Sequence, residues 1–213
     1  MRIGRLNLQT KAAEFLYHCL LEMGEQSSNP VLQLLDSSLA IEQNKKYPQG
    51  FLQFNDMGWR AYYHCHANNE AINHLFEAEH GHFHIFARLS ENPETWSHVA
   101  ALSIDDMGQP LRWFMVNHWV TGETWLNAPL LLKQIQHIPF NEQSSLLERW
   151  ILSILAVHED EINQLLVLRD QGLTNSNSLD IAEEIKQDRS FYLLAEQAIN
   201  LQNKLEMIFG QNK

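Results

Sequence analysis

Cysteine is nearly absent: Cys19 and Cys65 are the only two in 213 residues, and they form no CxxC pair. That excludes a disulfide framework and a thiolate metal site, and both are expected to be free thiols in a reducing cytoplasm. Basic residues are scarce as well. Fifteen Lys and Arg stand against 26 Asp and Glu, a formal net charge of −11 with no local Lys/Arg cluster. Binding a phosphate backbone needs a basic surface, so no nucleic-acid partner is expected. There is no run of about 18 apolar residues that would span a membrane. The opening MRIGRLNLQTKAAEF lacks the apolar stretch of a signal peptide. No Gly-rich phosphate loop, GxSxG elbow or HExxH helix is present, which removes the commonest nucleotide, acyl-transfer and zincin chemistries.

What the chain does have is histidine. There are 11, and six of them fall between residues 64 and 84. In "EAEHGHFHIF" (77–86) His80, His82 and His84 alternate after Glu77 and Glu79. Alternation at period two is a strand signature. One face then carries His80, His82, His84 and Phe86, and the other Glu79, Gly81, Phe83, Ile85 and Ala87. The preceding "GWRAYYHCHA" (58–67) sets Arg60, Tyr62, His64 and His66 against Trp59, Ala61, Tyr63 and Cys65.

The rest of the chain frames these strands. Phe15, Leu16, Cys19, Leu20 and Met23 recur at helical spacing, and Val31, Leu34, Leu35 and Leu39 suggest a second helix from Pro30 to Lys45. The runs 97–105 and 110–120, joined across Asp106–Gln109, read as a β-hairpin with Pro110 at a strand start or edge. From Asn127 the helical period returns: a short helix to Pro139, a long one from Asn141 to Gln171, and a last one opened by Asp180 and Glu183 as a capping box. Leu194, Ala198, Leu201, Leu205 and Ile208 form its stripe. The expected fold is α+β, one domain over 1–213: helices in 10–45, a four-stranded antiparallel sheet in 57–120, and helices in 127–210, which cover one face of the sheet.

Spacing defines the candidate chemistry. Imidazoles at i and i+2 on a strand sit about 6 to 7 Å apart and can reach one ion, whereas i and i+4 are about 13 Å apart. The triplet therefore supplies two ligands to any one site. Two His-x-His pairs on neighbouring strands, drawn from His64, His66, His80, His82 and His84, make a three- or four-nitrogen metal site. Nitrogen ligands favour Zn or Fe, with Cu or Ni also suited, over Mg or Ca. Glu79 or Glu77 would add an oxygen ligand or a general base. Glu79 points away from the imidazole row on a regular strand. It reaches the site only if it belongs to the preceding loop, or if a bulge at Gly81 shifts the register. Tyr62, Arg60 and Arg88 would orient an anionic substrate. Trp113, Trp119 and Trp125 either wall the pocket or are plain core.

His98 and His118 would join the site under some strand orders. As lone histidines among apolar neighbours, His98 and His158 read as core residues bonded to a carbonyl. His18, His74 and His137 read as surface or loop. The competing account of the cluster is a metal-free imidazole network lining a pocket.

"YYHCH", "EHGHFHIF" and "VNHWVTGE" together resemble a family of uncharacterised bacterial proteins, a domain of unknown function. Its shared elements are Tyr-Tyr-His-x-His, Glu-His-Gly-His-Phe-His and Asn-x-Trp-Val-Thr-Gly. The resemblance covers roughly residues 58–125 and implies no activity beyond marking the histidine strands as the working part. The sequence reading is a metal-dependent enzyme of hydrolase or oxygenase type acting on a small molecule. The alternative is a non-catalytic protein that binds a metal or small ligand. A homo-oligomer is left open.

Overall fold

The computed structural model describes residues 2–35, 41–54, 58–66, 78–89, 94–174 and 179–211. Six strands form one antiparallel sheet in the order β1 to β6: β1 Tyr47–Gln53, β2 Trp59–His64, β3 Gly81–Arg88, β4 Trp96–Ile104, β5 Pro110–Val116 and β6 Leu193–Ala198. The helices are α1 Arg2–Glu25, α2 His118–Thr121, α3 Ala128–Gln136, α4 Leu146–Val157, α5 Glu159–Thr174, α6 Leu179–Gln187 and α7 Leu201–Gly210. The α+β class with flanking helices is as expected. The sheet has two strands more than expected.

Both extra strands were hidden for physical reasons. β1 reads YPQGFLQ, with a proline and a glycine that suit only an edge strand, and an edge is where it lies. The expected helix over Pro30–Lys45 does not form in its described parts. Asn29 Oδ1 accepts from the amides of Val31 and Leu32, both at 2.9 Å, which fixes a turn instead. At the other end, Leu194 and Ala198 belong to β6 while Leu201, Leu205 and Ile208 belong to α7. A spacing of four keeps two residues on one face of a strand as well as of a helix, so the stripe did not separate the two. Asn200 caps α7, accepting from Asn203 N, and ends the strand's continuation.

The expected long helix of 141–171 is two. Ser145 and Glu148 form a capping box that starts α4, and the helix is interrupted at His158. His158 Nδ1 lies 3.0 Å from the Ile154 carbonyl, the carbonyl-bonded core position expected for it. The side chains of Asp180 and its neighbours, where another capping box was expected, lie outside the described residues.

The β4–β5 hairpin forms as expected, with Leu102 opposite Trp113 and Ser103 opposite Arg112. Asp105 Oδ1 accepts from Met107 N and Gln109 N across the turn, and Pro110 begins β5. Cys19 and Cys65 are free and buried. Among the described residues no helix is long and apolar enough to cross a membrane.

The sheet's two faces differ. Trp59, Ala61, Tyr63, Phe83, Ile85, Leu102, Ile104, Trp113 and Met115 share a buried cluster with Leu16 and Cys19 of α1 and with Trp150, Ile151 and Leu155 of α4. Trp113 is therefore plain core. Burying this face against helices frees the opposite one, which carries Tyr62, His64, His82, His84 and Phe86. β2 and β3 approach closely at their shared end because Gly81 leaves room for the Tyr63 ring. A Cβ at Gly81 would overlap the Tyr63 hydroxyl and sit 2.7 Å from the His64 carbonyl oxygen. Gly81→Ala is expected to cost about 1 to 3 kcal/mol of stability through overpacking. A denaturant titration checks this, and an unchanged midpoint would refute the close approach.

Candidate metal centre

The β2–β3 register places His64 directly opposite His82, and Tyr62 opposite His84. Directly opposed residues have Cβ atoms about 5 Å apart, and His84 follows His82 on the same face. Three imidazoles therefore converge. His64 Nε2 lies 2.7 Å from His82 Nε2 and 3.2 Å from His84 Nε2, and the last two are 3.1 Å apart. His66, just past the end of β2, places its ring 4.7 Å from that of His64 and 5.1 Å from that of His82. Nitrogens of His64, His66 and His82 all lie within 4.8 Å of one another. His82 and His84 are fully buried, while His64 and His66 are partly exposed and form the rim.

This triangle has a property no proton arrangement satisfies. Two facing imidazole nitrogens bond only if one carries hydrogen and the other a lone pair. Three nitrogens in mutual contact make an odd ring, so at least one pair must be lone pair against lone pair or N–H against N–H. Burial also keeps these rings neutral. It pushes His64 down to about 2, helped by His82, His66 and Lys46, and holds His82 and His84 well below the usual imidazole value.

The backs of the rings are held too. Glu79 Oε1 lies 2.5 Å from His82 Nδ1. β3 begins at Gly81, so Glu79 belongs to the loop, the condition under which it was expected to reach the site. Burial pushes its carboxyl up to about 7, with Ser103, Arg112 and His66 pulling it back. Arg112 Nη2 stands 3.7 Å from Glu79 Oε2, while its Nη1 pairs with Glu196. His84 Nδ1 lies 3.0 Å from His98 Nε2.

His98 reaches this face because of a bulge. Ile85 pairs with Ala100 but Phe86 pairs with His98, so one residue of β4 is extra. The slip turns His98 away from the face of Ala100, Leu102 and Ile104, where plain alternation puts it. Its partner is a histidine, not the carbonyl expected.

Other sequence candidates lie elsewhere. His80 is exposed, and its Nδ1 is hydrogen-bonded at 2.6 Å to the hydroxyl of Tyr63, which points to the helix side; it does not join the cluster. Glu77 lies outside the described residues. Tyr62 does join, its ring 5.0 Å from His84 and 5.6 Å from His64, with burial keeping its phenol protonated. Arg88 ends β3 with its guanidinium 5.4 Å from the Trp96 ring, away from the imidazoles. Arg60 is engaged by Glu123 at 2.6 Å. His118 is not on β5, which stops at Val116, but in α2, within 3.3 Å of Gln187.

The Asn-x-Trp-Val-Thr-Gly element has a structural task that spacing did not reveal. Buried Asn117 donates from Nδ2 to the carbonyls of Ile185 and Phe191 at 2.7 and 3.1 Å, and its backbone N–H to Tyr192 O at 2.9 Å. Trp119 Nε1 donates to Phe191 O at 3.0 Å, and Gly122 closes α2 in the left-handed conformation. This clasp sets Tyr192 against the histidine face, packed near Phe114 and 6.3 Å from His66.

Since Glu79 meets His82 on the side away from the triangle, Glu79→Gln is expected to weaken divalent-metal affinity by about 10- to 100-fold without abolishing it. Titration with a chelator checks this. Unchanged affinity would show that the Glu79 contact does not hold His82 for a metal.

Fold and site together define an α+β protein with a buried imidazole cluster on the free face of an antiparallel sheet. The chain belongs to the family described as a domain of unknown function, DUF6969, whose model matches residues 10–199. No curated protein and no solved structure matches the chain.

Proposed function

We propose that the protein binds a single divalent transition metal through Nε2 of His64, His82 and His84, with His66 beside it, and uses the ion as the centre of an enzyme active site. The observation that carries this is the triangle of nitrogens at 2.7, 3.1 and 3.2 Å. Three lone pairs directed at one cation remove the frustration of the odd ring. With ligand distances of about 2.0 to 2.1 Å, nitrogens would stand about 2.9 Å apart in an octahedral facial set and about 3.3 Å in a tetrahedral one. Neutral imidazoles are ready ligands, and Zn or Fe suits them. A hydrolase would use the ion to activate water, an oxygenase its open positions.

Glu79 serves as the outer partner of His82 in this reading rather than as base. The exposed Lys46 ammonium, 4.2 Å from the Tyr62 ring, gives the rim a cation that suits a small acidic substrate.

One observation favours a non-catalytic carrier: His66 can close the coordination sphere as a fourth nitrogen. Elemental analysis of protein purified without a histidine tag tests the shared core of both readings, with about one equivalent of metal expected and its absence counting against both. Cobalt substitution separates them. An open site changes its visible spectrum when azide is added, and a closed one does not.

A further inference from the structure

We infer that His98 is the positioning residue for His84, the hydrogen-bond acceptor that fixes its tautomer and ring angle; this rests on the metal reading above. If His84 gives its Nε2 lone pair to an ion, its Nδ1 must carry the hydrogen. That N–H points at His98 Nε2, 3.0 Å away, so His98 Nε2 must hold a lone pair and His98 Nδ1 the hydrogen. The His98 ring is held for this task. It lies 5.1 Å from the His84 ring and 5.3 Å from Phe86, on the stretch of β4 that the bulge turns toward the site. His98 also lines a cavity of about 10 Å³, with His118, Thr121, Glu123 and Arg169 among its polar walls. That space suits roughly one water, which would take up the Nδ1 hydrogen. His84 thus has a histidine where His82 has a carboxylate. The two buried ligands are both oriented from behind, by different chemistry and from different elements.

The test uses zinc affinity of the full chain, measured by chelator competition, for the wild type, His98→Phe and His98→Gln. Phenylalanine keeps a ring of similar size without an acceptor, and glutamine keeps an acceptor without the ring. The expected result is a loss of about 10- to 100-fold for His98→Phe and recovery of most of it for His98→Gln. A merely structural histidine would reverse that order or leave both unchanged, and either result overturns the inference. Should His98→Phe not fold, a long-range ¹H–¹⁵N spectrum of the zinc-loaded wild type decides the matter. His98 protonated on Nδ1 supports the inference and His98 protonated on Nε2 overturns it. A wild type that binds no zinc fails the metal reading itself, which is distinguishable from a wild type that binds zinc as tightly as His98→Phe.

Discussion

Replacing His82 by alanine is expected to strip the protein of its metal, while His80→Ala leaves the metal content unchanged. His82 Nε2 touches both other nitrogens of the triangle, and its Nδ1 engages Glu79. Two nitrogen triads are available on this face, His64/His82/His84 and His64/His66/His82, and both contain His82. Losing His84 leaves the second triad standing, so His84→Ala should retain weakened binding. Losing His82 leaves neither triad, and it also leaves a buried carboxyl without its imidazole. The loss should exceed the roughly 10- to 100-fold of an outer-shell change by a wide margin. His80 is occupied by Tyr63 on the other side of the strand. Metal content after dialysis, with circular dichroism to confirm folding, checks all three variants. Stoichiometric metal in His82→Ala would place the ion away from this cluster and leave the cluster a metal-free imidazole network.

Acid should unfold the metal-free protein steeply. Burial holds His64 at about 2 and His98 at about 3, and holds His82 and His84 well below the ordinary imidazole value of 6.5. In the unfolded chain these four take up protons as pH falls through 6.5, and in the folded chain they do not. The unfolded state then binds more protons, so stability is full above pH 6.5 and falls as the pH drops below it. Glu79 works the other way. Its folded value near 7 lies above the unfolded 4.5, so it recovers about one proton's worth over that interval. The net from the site is about three protons near pH 5, or about 4 kcal/mol per pH unit, and it rises below pH 4.5 as Glu79 becomes protonated in both states. Against a total of about 5 to 15 kcal/mol, that is enough to unfold the chain within a few pH units. Bound metal holds the same rings neutral and should move the acid midpoint lower. Denaturant titrations at a series of pH values check this, with and without zinc. Flat stability from pH 7 to 4.5 in the metal-free protein would contradict the buried neutral cluster.

Whatever depends on neighbours along the chain was legible before any fold was known. The two alternating runs at 58–67 and 77–86 announced strands, and the His-x-His pairs announced that imidazoles would share a face. The Asp106–Gln109 turn announced a hairpin, and the scarcity of cysteines and basic residues narrowed the chemistry. Period two is a local property, and it survives into the fold wherever the strand is regular, as at His82 and His84.

Features that depend on register and on distant segments emerged only with the packed sheet. The start of β3 at Gly81 left His80 to Tyr63 and handed Glu79 to His82. A single extra residue in β4 carried His98 across the sheet, which no alternation rule can foresee because a bulge is fixed by how two strands pair. β6 and the Asn117 clasp bring Glu196 and Tyr192 to a face built more than 80 residues earlier. The stripe that contained β6 fits a strand and a helix equally well, and only pairing with β5 could choose between them. The sequence therefore named the imidazoles as a class, and the packing of the sheet selected which nitrogens meet and what stands behind each of them.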